Sequence, residues 1–166
     1  MSDADAAAGR TFDLAALLTR EHHDIDGGIE RYLEILQGAN PTDATPLLDA
    51  MAALRRHIYL EEQFVFPALA SGALMIPIQV MLREHGAIWR AMDELAERLT
   101  GDADPARLKN DSLELLGLLE SHNAKEEPVI YPRAQPALDS EEQRELEEFM
   151  ASGRMPNGWL CRTAAQ

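Results

Sequence analysis

The segment His57-Ile58-Tyr59-Leu60-Glu61-Glu62, with Pro67 beyond it, returns later in the chain as His122-Asn123-Ala124-Lys125-Glu126-Glu127, with Pro132 beyond. Each copy is preceded by a shorter segment: Arg20-Glu21-His22-His23-Asp24-Ile25 in the first half, Arg83-Glu84-His85-Gly86-Ala87-Ile88 in the second. The shorter segments lie 63 residues apart and the longer ones 65 apart, so the chain reads as one helical hairpin written twice.

Working outward, apolar residues at helical spacing fill the intervals between these motifs. A first helix is expected from the N-cap Asp13 to Gln37, stopped by Gly38 and carrying Leu14, Leu18, Ile25, Ile29 and Leu33. The Gly27-Gly28 pair marks a place where another backbone can come close. Thr45-Pro46 reads as N-cap and first helical position of a second helix, which runs to about Phe66. A third is expected from near Pro77 to Leu99, and a fourth from Asp104-Pro105 to about Tyr131, with Pro128 removing one backbone hydrogen bond inside it. Ser140 and Gln143 suggest a capping box for a short fifth helix ending near Gly153. The fold class is therefore all-α: an up-down-up-down four-helix bundle with a short fifth C-terminal helix and tail. The domains expected are a flexible N-terminal arm at 1–12, the bundle at 13–135, and a helix and tail at 136–166 packing on it, anchored by Trp159 and Leu160.

On a helix, residues four apart differ by only about 40° and roughly 6 Å along the axis. His57 with Glu61, and His122 with Glu126, thus each present an imidazole and a carboxylate to one inward point, and His22 and His85 add one imidazole apiece. Matching the two shorter segments selects His22 over His23, which stands about 100° around the helix. Burying these groups without a cation would cost several kcal/mol in desolvation and unpaired polar atoms. The expected metal ligands are His22, His57, Glu61, His85, His122 and Glu126, each ion taking two imidazoles and sharing the carboxylates. Glu62 and Glu127 are read as outward-facing, and as the first candidates for an extra bond. Glu21 and Glu84 either orient a ligand imidazole or pair with a nearby arginine. Nitrogen and oxygen donors without thiolate suit iron, with manganese or zinc behind it, and argue against Cu(I) and iron–sulfur clusters.

Composition bounds the partners. A formal net charge of -14 repels nucleic acid and anionic membranes, and no apolar run is long enough to span a bilayer. Cys161 is the only cysteine, which excludes an intrachain disulfide and favours a reducing, cytoplasmic setting.

At these motifs the chain resembles the hemerythrin-like family, also called the HHE cation-binding domain, over about residues 13–135. Members of that family are themselves an example of the up-down-up-down bundle. The segments His57-x-x-x-Glu61-Glu62 with Phe66-Pro67, and His122-x-x-x-Glu126-Glu127 with Tyr131-Pro132, look like its signature halves. The resemblance implies two iron ions cycling between Fe2+ and Fe3+, with an oxo or hydroxo bridge. It implies binding of, or reaction with, O2, NO or peroxide, or a part in iron handling. Oxygen carriers of the family place a further His four residues after the third-helix His, where this chain has Trp89, and an Asp five residues after the fourth-helix His, where it has Glu127. Reversible oxygen carriage is thus not the expectation. The alternatives are a metal-dependent oxidase or peroxide-decomposing enzyme, and a helical module docking a protein partner through its C-terminal helix and tail.

Overall fold

A computed structural model of the chain describes residues 11–165; the first ten residues of the expected arm lie outside them. The described residues form helices and connecting turns, with no strand among them. Helix α1 spans Leu14–Leu36 and is capped by Asp13, whose carboxylate accepts from the Ala16 N–H at 3.1 Å. Helix α2, Thr45–Leu60, begins one residue earlier than expected. Thr45 is already helical, Ala44 holds the cap position, and Asp43 accepts from the Thr45 N–H at 3.0 Å.

The ends of the signature segments depart further from expectation. Helix α2 does not continue as α-helix to Phe66; past Leu60 it widens into a π-helical turn, Glu61–Val65, then tightens into a 3₁₀ turn, Phe66–Ala68. Pro67 is the cause, because it has no N–H to donate and its ring collides with the carbonyl four residues back. Helix α3 spans Met75–Leu99, starting two residues before Pro77. Helix α4 spans Pro105–Val129 under an Asp104 cap, and it stops at Ile130 rather than running on to Tyr131. A separate short helix, α5, then covers Tyr131–Ala137. Pro128 and Pro132, four residues apart, break the ladder here for the same reason as Pro67.

Helix α6, Ser140–Ser152, is thus the sixth and not the fifth. Its capping box is Asp139 with Glu142, not Ser140 with Gln143: each donates a backbone N–H to the other's side chain at 2.8 Å. A carboxylate at this end is also favoured by the helix dipole.

Helices α1 and α2 form one hairpin, α3 and α4 the other, and α1 against α4 with α2 against α3 closes the bundle. Gly28 permits the first contact, since a Cβ there would stand 2.9 Å from the Ala50 Cβ. The core divides into two apolar clusters. One gathers Ile25, Ile29, Leu54, Ile58, Ile88, Met92, Leu115 and Leu119; the other gathers Leu14, Leu18, Leu60, Leu82, Ile130 and Phe149. Along α1, α3 and α4 the motif histidine falls between the two, and on α2 His57 stands where Ile58 of the first gives way to Leu60 of the second. No helix among the described residues is long and apolar enough to cross a membrane.

The tail returns across α3. Trp159 packs edge-on against Trp89 and Tyr59, as expected of an anchor, but Leu160 is 61% exposed and anchors nothing. Its place is taken by buried Cys161 and Thr163, whose hydroxyl donates to the Leu82 carbonyl at 2.5 Å. Gly86 makes this contact possible, because a Cβ there would lie 2.5 Å from the Thr163 carbonyl oxygen. Gly86→Ala is expected to unseat the tail, lowering stability by about 1–3 kcal/mol through overpacking and exposing residues beyond Gly153 to limited proteolysis.

Candidate metal centre

The six inward positions read from the repeat meet at one level of the bundle. His22, His57, Glu61 and Glu126 form one buried group, and Glu61, His85, His122 and Glu126 a second, with the ligand-type atoms of each group within 4.8 Å of one another. The two groups share both carboxylates. Glu61 reaches His57 Nε2 with one oxygen (3.0 Å) and His85 Nε2 with the other (3.2 Å). Glu126 lies 3.3 Å from His122 Nε2 and 3.4 Å from His22 Nε2. Both glutamates are fully buried, whereas His23 is exposed and takes no part.

The outer nitrogens explain how the rings are held. His57 donates through Nδ1 to Glu21 at 2.8 Å, and His122 through Nδ1 to Glu84 at 3.2 Å, each within its own hairpin. His22 donates through Nδ1 to Glu127 at 3.0 Å, and His85 to Glu62 at 3.1 Å, each across to the other hairpin. Glu21 and Glu84 therefore do orient imidazoles, Glu21 lying also 3.7 Å from Arg56 and Glu84 pairing with Lys125. Glu62 and Glu127 are not simply solvated. Each sits behind the histidine of the opposite half, and the Arg162 N–H donates to Glu62 at 2.9 Å.

A carboxylate can only accept, so all four Nδ1 atoms carry a proton and all four Nε2 atoms face inward. Two of them, on His22 and His57, stand 3.0 Å apart. Glu126 Oε1 finds no hydrogen-bond partner among the described residues, and Glu61 Oε2 and His85 Nε2 meet only each other, at 3.2 Å and without hydrogen-bond geometry. Imidazole nitrogens and carboxylates buried between apolar clusters need positive charge among them, as protons on Nε2 in the metal-free protein or as metal ions in their place. This donor set fits divalent or trivalent metal ions.

The electrostatics agree. Burial alone would lower the histidine pKa values, yet the neighbouring carboxylates outweigh it: Glu61 and Glu21 raise His57 well above its usual value, and Glu126 with Glu84 brings His122 up to about 10. Burial likewise opposes ionisation of Glu61 and Glu126, but His57 and His122 hold them below the usual carboxylate range. In the metal-free protein the His122 contribution is thus fully present below an unfolded pKa of 6.5 and lost as pH rises through about 10. The Glu61 and Glu126 contributions are present above 4.5 and lost in acid. Metal competes for the same sites, so the melting-temperature gap between loaded and metal-free protein should widen from pH 6 to pH 9 in scanning calorimetry.

Two features escaped the sequence reading. One is the cross-hairpin role of Glu62 and Glu127. Glu127→Gln is expected to weaken metal binding about 10–100-fold in chelator competition, with exposed Glu148→Gln unchanged. The other is Tyr131, a buried residue whose hydroxyl donates to Glu61 at 2.6 Å in the middle of the cluster. The only signal for it was the pairing of Phe66-Pro67 with Tyr131-Pro132. At the carriers' extra histidine position, Trp89 packs in the apolar core, its ring 4.5 Å from the Arg55 guanidinium carbon. Buried Cys161 has its thiol pushed up to about 11, by burial and then by the Glu62 charge, which keeps it protonated.

An all-helical fold around buried His/Glu groups able to hold metal ions defines a class of metal-binding bundle. Within that class the chain belongs to the hemerythrin HHE cation-binding domain family, whose model matches residues 13–134. It is 30% identical over 149 aligned residues, covering 79% of this chain, to uncharacterized proteins of Mycobacterium tuberculosis and Mycobacterium bovis. The chain spans 57% of the length of these curated relatives. No solved structure matches it.

Proposed function

We propose that the protein holds two iron ions, one on His22 and His57 and one on His85 and His122, with Glu61 and Glu126 shared between them. In this reading it binds, senses or reacts with O2, NO or peroxide, or buffers iron, in the cytoplasm and without nucleic acid. The observation that carries the proposal is the set of four Nε2 atoms directed inward around two fully buried carboxylates, each ring fixed by a carboxylate at Nδ1. When bound, iron would supply redox electrons and coordination positions open to a small ligand. The chain's own part is to fix the imidazoles by their outer carboxylates and to surround them with apolar side chains that limit water. Manganese or zinc would be held by the same donors, but zinc would bring no redox chemistry, and iron is the reading for a centre that reacts with O2, NO or peroxide.

A second reading, a peroxide-decomposing or oxidase enzyme, draws support from a cavity of about 410 Å³ lined by Glu62, Phe66, Ile78, Leu82 and Trp159. It abuts the Phe66 ring, which stacks on His85 at 5.4 Å, and so offers a small molecule an approach to one side of the centre. Elemental analysis with an absorption spectrum before and after peroxide tests the main proposal. About two irons per chain and a near-ultraviolet band that changes with peroxide are expected; a redox-silent metal with an unresponsive spectrum would refute it. Sustained consumption of peroxide would select the enzymatic reading.

A further inference from the structure

The two halves of the centre correspond residue for residue until nine positions past the second histidine of each hairpin, where one carries Phe66 and the other Tyr131. Phe66 lies nearly parallel to His85, at 16°, and presents only carbon. The Tyr131 hydroxyl lies 2.6 Å from Glu61 Oε1, 2.8 Å from His22 Nε2, and 3.1 Å from both His57 Nε2 and Glu126 Oε2. A phenol has one proton to donate, and here its oxygen stands within 3.1 Å of two carboxylates and two imidazole Nε2 atoms. One hydrogen bond to Glu61 leaves the phenol oxygen crowded by three further ligand-type atoms. A single cation placed among them satisfies all five.

We propose that Tyr131 is a seventh ligand, giving its oxygen to the ion on His22 and His57 and so making the two ions chemically unlike. This rests on the two-metal reading above. On metal uptake the phenolic O–H bond breaks, its proton is released to the buffer, and an oxygen–metal bond forms, with no change of oxidation state. The other ion, faced by Phe66 and the adjoining cavity, is then the one left to take an external ligand.

The test is visible absorption and resonance Raman of the full chain loaded aerobically with iron, prepared with ordinary and with ring-deuterated tyrosine. A visible charge-transfer band is expected, enhancing ring vibrations that shift on deuteration, and Tyr131→Phe should lose it while keeping iron. Tyr32 packs in the apolar core, and Tyr59 packs against Phe149 and Trp159, so neither supplies the signal. Should the variant fail to fold, the isotope shift in the wild-type protein still decides. Two irons with near-ultraviolet absorption but no tyrosine vibrations would overturn the ligand assignment and leave the di-iron reading standing. A band that survives in folded Tyr131→Phe would overturn it equally, and a chain that takes up no iron would remove both.

Discussion

His57→Ala should strip most of the metal from the purified protein, whereas His23→Ala, on the neighbouring helix of the same hairpin and exposed, should leave metal content at the wild-type level. His57 is tied at both nitrogens, to Glu21 outside and to Glu61 inside. Removing the ring deletes one of two imidazoles on its side of the centre and releases Glu61 from its nearest positive partner. Losing the ligand itself should exceed the roughly 10–100-fold loss of metal affinity that follows removal of a ligand's hydrogen-bond partner. His122→Ala should behave alike, because Glu84 and Glu126 hold it in the corresponding way. Metal per chain after gel filtration, by elemental analysis, is the readout. Equal metal in the His57 and His23 variants would defeat the ligand assignment.

Chelation should lower the melting temperature by a comparably large amount. The six buried imidazole and carboxylate groups meet only in the folded chain, so metal held among them would stabilise that state alone. Free metal at about 1,000 times its dissociation constant adds roughly 4 kcal/mol, which at about 2–4 °C per kcal/mol for a chain of this size gives a shift of about 8–16 °C. The measurement is thermal unfolding by circular dichroism before and after dialysis against a chelator, then after metal is restored. An unchanged midpoint would mean that the metal binds at the surface or not at all.

The repeated motif made the bundle, the two hairpins and the meeting of the six inward groups legible before any coordinates. Helical periodicity carries that information directly, because residues four apart share a face. The same periodicity hid Tyr131. Five residues after Glu126 on an unbroken helix, it would point about 140° away; the interruption at Ile130 accompanies its return toward the centre. The π turn after Leu60 was equally invisible, since Pro67 announces a disruption without saying how many residues absorb it. Glu62 and Glu127 were misjudged for a different reason. Within their own helices they do face away from the centre, and only the packing of one hairpin on the other sets them behind His85 and His22. The N-cap assignments erred by single residues, as when Asp139 took the position assigned to Ser140 and Ala44 that assigned to Thr45.

The polar belt between the two apolar clusters also keeps the helices from sliding. Leucines above and below it are nearly interchangeable, so a hairpin displaced by one turn, about 5.4 Å, would forfeit little hydrophobic contact. The same displacement would set Leu54 or Leu60 opposite His22 and strand each carboxylate against hydrocarbon, a penalty of several kcal/mol. One ring of imidazoles thus acts as a vernier mark, admitting a single alignment among many that oil alone would tolerate.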